Sequence, residues 1–289
     1  MTGAAPPKLF DRALWLERRR RRGLPAPGTD FLHRAAVDSV QDRLSLVPRR
    51  FARAALVWPG APVWAERLGA LEAVEALEVA PVGETEVLPL EAGRFDLAVS
   101  GLTLHLADDP VGLLVQMRRA LKPDGLLIAP MLGGETLAEL RACLAEAEVA
   151  ETGGLSPRVA PMGEIRQLGA LLQRAGFAMP VADGERLEAR YPDALALMRE
   201  LRAMGEANVM QGRRRAPLRR GVLARAAALY AERFPAGDGR VRATFEIVTL
   251  TGWSPGPGQP EPKRPGSAKA RLADALGVPE LRAGEKAGR

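Results

Sequence analysis

The chain has 289 residues, enough for one large domain or two small ones with a sizeable core. Hydrophobic residues make up 47% and charged residues 26%, which excludes wholesale disorder, while one cysteine and two histidines (His33, His105) exclude a disulfide framework and a thiolate zinc cluster. The net charge of +6 invites a nucleic-acid partner, yet residues 1–28 carry +5 and residues 254–289 carry +3, leaving −2 for the body.

No nucleic acid is therefore expected as a partner, and no metal site. No apolar run reaches the roughly 20 residues of a membrane span, so the chain reads as cytoplasmic. Residues 1–28 form a basic Pro/Arg-rich N-terminal segment and 254–289 a basic tail expected to be disordered. Both are rich in Pro and Gly and are expected to bury little apolar surface.

The body, 29–253, opens with a helix capped by Thr29 or Asp30, whose Leu32, Ala36, Val40 and Leu44 recur every fourth position and which ends before Pro48. Ala54 to Trp58 is a buried strand closed by Pro59-Gly60, and a helix follows from Pro62 to Leu71. Leu77 to Ala80 and Val87 to Leu90 are expected as short second and third strands. Phe95 to Ser100 is the next strand, followed by a loop to Asp108 and a helix through Leu113, Leu114, Met117 and Leu121 that stops at Lys122-Pro123-Asp124-Gly125. Leu126 to Met131 then returns as a strand. Strand, helix, strand in about 40 residues predicts a right-handed parallel crossover.

Gly133-Gly134 leads into a helix over 135–151, a Gly/Pro loop spans 153–161, and a helix runs from Gly163 to Ala175. Ala178 to Ala182 is expected as a parallel strand and Arg186 to Tyr191 as an extended connector, separated by Asp183-Gly184. Two helices, 193–204 and 218–234, flank the basic loop 213–220, and Thr244 to Trp253 alternates as a strand should. The order predicts one doubly wound, mostly parallel α/β domain with a helical insertion, about 192–240, before its last strand.

Particular residues then carry a resemblance. FDLAVSGLTLHLADDP (95–110) and LKPDG (121–125) resemble the fourth-strand to fifth-strand unit of class I S-adenosylmethionine-dependent methyltransferases. FDRAL (10–14), LGGETLAELR (132–141), the stretch 152–177, YPDALALMRELRAMGEAN (191–208) and ATFEIVTLTGW (243–253) are more specific. They resemble the methyltransferase-like complex I assembly factors, known as arginine hydroxylases, and their bacterial relatives, near the malonyl-carrier-protein methyltransferases of biotin synthesis. The resemblance covers residues 9–253. It implies a seven-stranded Rossmann-like methyltransferase sheet, here with a shortened first half. Methyl transfer to a protein or carrier-bound substrate is the implied activity. The alternatives are hydroxylation of an arginine on a respiratory complex I subunit, or a non-catalytic assembly role.

Methyl transfer from a sulfonium needs alignment more than an acid or base, and ligands of such sheets bind beyond the carboxyl ends of the strands. On the resemblance, S-adenosylmethionine would meet Trp58 and Gly60 in the first loop, Glu78 as the acid after the second strand, Glu84 or Glu86 at the adenine, and Ser100, Gly101 and Leu102 after the fourth; each of the three glutamates is either such a ligand or a surface carboxylate. The first loop keeps only Gly60 of the expected glycines, between Pro59 and Pro62, and is either a cradle or an eroded one. His105 is either a catalytic base or a hydrogen-bonded structural histidine. Gly133, Gly134 and Glu135 are either a substrate edge or a tight turn, and Met204 and Asn208, with Glu206, are either a substrate wall or core.

Overall fold

Residues 8–22, 30–58, 62–260 and 277 are described in the computed structural model. The chain divides into two units, Met1–Pro257 and Gly258–Arg289, and everything below concerns the first. The expected tail beyond residue 260, Gly277 apart, lies outside the described residues, as do Pro6, Pro7, Pro25, Pro27 and Gly60.

Eight helices and six strands follow in chain order among the described residues. They are α1 (Arg12–Arg22), α2 (Phe31–Ser45), β1 (Ala54–Trp58), α3 (Pro62–Gly69), β2 (Leu77–Pro81), β3 (Phe95–Ser100), α4 (Pro110–Ala120), β4 (Leu121–Leu132), α5 (Ala138–Thr152), α6 (Ile165–Arg174), β5 (Ala178–Tyr191), α7 (Ala194–Met204), α8 (Arg220–Arg233) and β6 (Val241–Trp253). The strands form one sheet in the order β2-β1-β3-β4-β6-β5. β1 pairs in parallel with β2 and β3, and β3 with β4, while β6 runs antiparallel between β4 and β5.

Alternation along the strands sends side chains into two cores. Ala54, Leu56, Leu97, Val99, Leu126 and Ile128 join the apolar faces of α2, α3 and α5, with α7 and α8, on one side. Ala55, Val57, Ala98, Leu127 and Ala129 meet α4, α6 and α1 on the other. Helices on both faces explain why β3 is buried at all six positions rather than at every second one.

Several expectations change. Six strands are present among the described residues, where seven were expected. Val87 to Leu90 is irregular because Glu86 and Leu88 are tied to the α4 side: Gln116 Oε1 accepts from Leu88 N and Gln116 Nε2 donates to the Glu86 carbonyl. The Lys122–Gly125 turn is absorbed into β4 as a bulge: Phe95 faces Leu121 and Leu97 faces Leu126, with Asp124 at φ 62°. β5 is one strand of 14 residues, antiparallel to β6. Asp183-Gly184 passes straight through it, since β6 supplies ladder partners on both sides of the pair.

The N-terminal segment also differs. Arg12–Arg22 is a helix that buries Trp15 to 2% exposure, and Phe10 beside it to 3%. Arg18 and Arg19 tolerate this because their guanidiniums reach polar partners, the Asn208 carbonyl at 2.7 Å and Glu206 at 2.9 Å.

Candidate functional site

The carboxyl ends of β1, β3 and β4 define one edge of the sheet, and the loop leaving β3 is pinned. Gly101 N donates to the Val57 carbonyl at 2.9 Å, and the Ser100 and Thr103 hydroxyls share a buried hydrogen bond of 2.6 Å. Leu102 adopts φ 54°, turning the chain sharply into the 3-10 turn Leu104–Leu106 that carries His105. From the insertion, α7 ends at Gly205 with φ 87°, and that left-handed cap aims Glu206 back at the same edge.

Glu206 organises the centre. Its Oε1 accepts from Arg19 Nη2 at 2.9 Å, and its Oε2 lies 3.5 Å from His105 Nε2. Burial pushes this carboxyl up, but the His105 hydrogen bond and the charges of Arg19, His105 and His33 outweigh it and hold the group near 2. Arg19 also stacks on Trp15, 4.9 Å from the ring centroid. His105 Nδ1 is buried without a hydrogen-bond partner among the described residues.

Beside this cluster, Trp64 Nε1 donates to His33 Nδ1 at 3.0 Å, which places the remaining proton of a neutral ring on Nε2. Burial first, then the charge of Arg19, lowers His33 to about 4, so it is neutral at pH 7. The Trp64 indole rests on Gly101: a Cβ there would come within 3.2 Å of two ring carbons.

A cavity of about 250 Å³ opens at this edge. His105, Glu206 and Asn208 give it polar points, and Leu132, Leu137, Leu140, Leu201 and Phe245 give it apolar walls. A second hollow of about 580 Å³ shares Arg158, Arg202, Ala207 and Asn208 with it and forms its mouth. Glu206 against Nε2 fixes the orientation of the His105 ring, the role a carboxylate plays for an imidazole that moves protons.

The structure sorts the expected residues. Ser100, Gly101, Leu102 and His105 lie on the loop at this edge. Trp58 ends β1, while Gly60 lies outside the described residues. Glu78 does not reach this edge: it sits near the amino end of β2 and pairs with Arg94 at 2.9 Å and Arg53 at 3.5 Å. Glu84 follows β2 but faces solvent in a surface hollow beside Asp11, Leu14 and Arg20.

Gly133, Gly134 and Glu135 are a turn against other chain segments. A Cβ on Gly133 would come 2.5 Å from Glu246 Oε2, one on Gly134 would lie 3.5 Å from the Gly163 carbonyl oxygen, and Glu135 N donates to Glu246. The wall expected of them is made by Thr136 and Leu137 instead. Met204 is core at 2% exposure. Asn208 does line the cavity, but its Nδ2 is spent on the Pro157 carbonyl at 2.8 Å. Trp15 and Trp64 carry no motif in the sequence, since both lie on helices outside the strand–loop pattern.

The cofactor that the fold implies can be tested against these residues. The end of β2 reads Ala80-Pro81-Val82, with no acid for ribose hydroxyls, and Arg12 of α1 crosses just beyond it onto the Gly83 carbonyl at 3.0 Å. The approach to Gly101 is taken by Trp64, and Arg19 covers Glu206. The described residues do not fit S-adenosylmethionine in this arrangement.

A mostly parallel sheet with one reversed strand inside its far end, helices on both faces, and a cavity beyond the strand ends define a Rossmann-like methyltransferase fold. A methyltransferase-domain family model matches residues 65–129. The mitochondrial arginine hydroxylase NDUFAF5 of Danio rerio is 35% identical over 94% of this chain and 91% of its own length. The malonyl-[acyl-carrier protein] O-methyltransferase of Methylovorus sp. is 36% identical over 60% of this chain and 55% of its own. The solved structure of a putative methyltransferase from Bacillus halodurans is 12% identical, with a TM-score of 0.48, over 75% of this chain and 98% of that one. The chain belongs to the family of the NDUFAF5 arginine hydroxylases.

Proposed function

We propose that the chain engages an arginine-bearing segment of a partner protein at the carboxyl-edge cavity and hydroxylates that arginine, the partner being a respiratory complex I subunit. The observation that carries this reading is the 35% identity to the Danio rerio arginine hydroxylase across 94% of the chain. The geometry supports it: the apolar walls of the cavity suit the methylene stem of an arginine. Replacing C–H by C–OH with dioxygen puts one oxygen atom into the product and reduces the other to water with two electrons and two protons; no side chain supplies the oxygen or the electrons, so dioxygen and a two-electron reductant are the co-substrates. His105 is the group assigned to proton movement. The test is mass spectrometry of the subunit from cells with and without the gene. One added oxygen on an arginine is expected only with the gene, and an unmodified arginine in both overturns the reading.

A second reading is methyl transfer from S-adenosylmethionine to a protein or carrier-bound substrate, favoured by the domain match over residues 65–129. It requires Trp64 and α1 to yield space at Gly101 and Glu206. Titration calorimetry with the cofactor and its demethylated product decides it: measurable binding supports this reading, and no binding at millimolar concentration rejects it. A cytoplasmic location is part of the proposal. No helix among the described residues is long and apolar enough to cross a membrane, and the Danio rerio relative is named mitochondrial.

A further inference from the structure

The mouth of the cavity has an unusual charge balance. Six arginines line it, Arg18, Arg158, Arg202, Arg213, Arg214 and Arg215, against one carboxylate, Asp11. Two of the six spend their charge internally: Arg158 pairs with Glu148 at 2.5 Å and Arg213 with Asp11 at 2.9 Å. Arg18 donates to the Asn208 carbonyl at 2.7 Å. The side chains of Arg202, Arg214 and Arg215 are exposed and make no hydrogen bond or ion pair with the described residues.

Such a rim repels cations, and it stands at the entrance to the cavity because Arg202, Arg158 and Asn208 line both hollows. An arginine brought in by a neutral or basic segment would be opposed on approach. Carboxylates beside it reverse the sign, because each meets a guanidinium able to bind it in a bidentate fork.

We propose that the mouth is the docking surface for an acidic segment of the partner protein, with several carboxylates seated on Arg202, Arg214 and Arg215 while the residue between them enters the cavity. This rests on the reading of the cavity as the site of an arginine-bearing partner, and it names the surroundings of that arginine. Docking is separable from the modification, because the carboxylates bind the rim whatever residue stands between them.

The test uses fluorescence anisotropy with the full chain and short labelled peptides: a central arginine flanked by glutamates, the same peptide with glutamines, and the glutamate peptide with leucine for the arginine. Both glutamate peptides are expected to bind roughly tenfold more tightly than the glutamine peptide at about 50 mM salt, and to lose that advantage at about 500 mM. The variant Arg202→Glu/Arg214→Glu/Arg215→Glu is expected to abolish the preference while melting within about 2 °C of the parent, since none of the three is paired. Equal affinity for glutamate and glutamine peptides overturns the proposal, as does a preference that survives the charge reversal. Tighter binding of duplex DNA that displaces the glutamate peptide assigns the rim to nucleic acid and overturns it too. Acid-dependent docking with an unmodified arginine in cells rejects the hydroxylase reading alone, whereas a modified arginine without acid preference rejects the docking surface alone.

Discussion

Replacing Glu206 by glutamine removes the negative charge from the centre of the site at almost constant volume, so packing changes little and electrostatics dominate. The parent carboxyl is held down from 4.5 to about 2, which corresponds to roughly 3 kcal/mol at about 1.36 kcal/mol per pH unit. Mutational experience with one-sided breakage of buried ion pairs gives about 3–5 kcal/mol, because the remaining charge, here Arg19, stays desolvated. At roughly 2–4 °C per kcal/mol for a domain of this size, Glu206→Gln should melt about 6–12 °C below the parent. Adding Arg19→Met should restore a large part of the loss, a coupling read from urea melts of the two single variants and the double. A folded-state value below the unfolded one means that the stabilisation is complete above 4.5 and disappears as pH falls toward 2. The glutamine variant should lack that share of the acid loss. A single variant melting within about 2 °C of the parent at neutral pH, or a double variant showing no coupling, would refute the account.

Three further outcomes follow from other residues. His33 is lowered from 6.5 to about 4, so the unfolded chain binds its proton first: stability should fall as pH drops from 6.5 to 4 and level off below. His33→Asn keeps an acceptor for Trp64 and should flatten that slope, and an unchanged slope in the variant argues against a buried neutral ring. Gly133→Ala places a methyl 2.5 Å from Glu246 Oε2 and 2.7 Å from Val248 Cγ2, and should cost about 1–3 kcal/mol in chemical denaturation; parent-like stability would show that the turn has slack. Cys143 is fully buried and burial pushes its thiol up, so Ellman's reagent should label it only on unfolding, whereas prompt labelling of folded protein contradicts its place in the core.

The elements that the sequence announces are those whose side chains meet close neighbours in the chain. Leu32, Ala36, Val40 and Leu44 are buried on α2, and FDLAVS is a strand buried throughout, because continuous apolar residues suit a sheet covered on both faces. β5 was harder to read since Asp183-Gly184 has the composition of a turn, yet Thr249 and Val248 of β6 face the pair directly. The site splits in the same way. Ser100, Gly101 and His105 lie on one short loop and were legible from it. Glu206 was noticed beside Asn208, but its role depends on Arg19, 187 positions away, and on His105, 101 positions away. Only the folded chain reveals such a pairing, and the arginine run of α1 disguises the helix that supplies it.

The reversed strand within the far end of the sheet also bears on synthesis. β5 has a single neighbour, β6, and 62 residues of chain separate Tyr191 from Trp253. At about 5–20 residues per second on the ribosome, β5 waits roughly 3–12 s for its ladder partner. During that interval β4 and β5 both present unpaired edges to the nascent chain's surroundings, a template for misassociation that closes only when β6 slots between them. Slower translation through α7 and α8 would lengthen the exposure, so chaperones in excess during expression favour recovery of the native sheet.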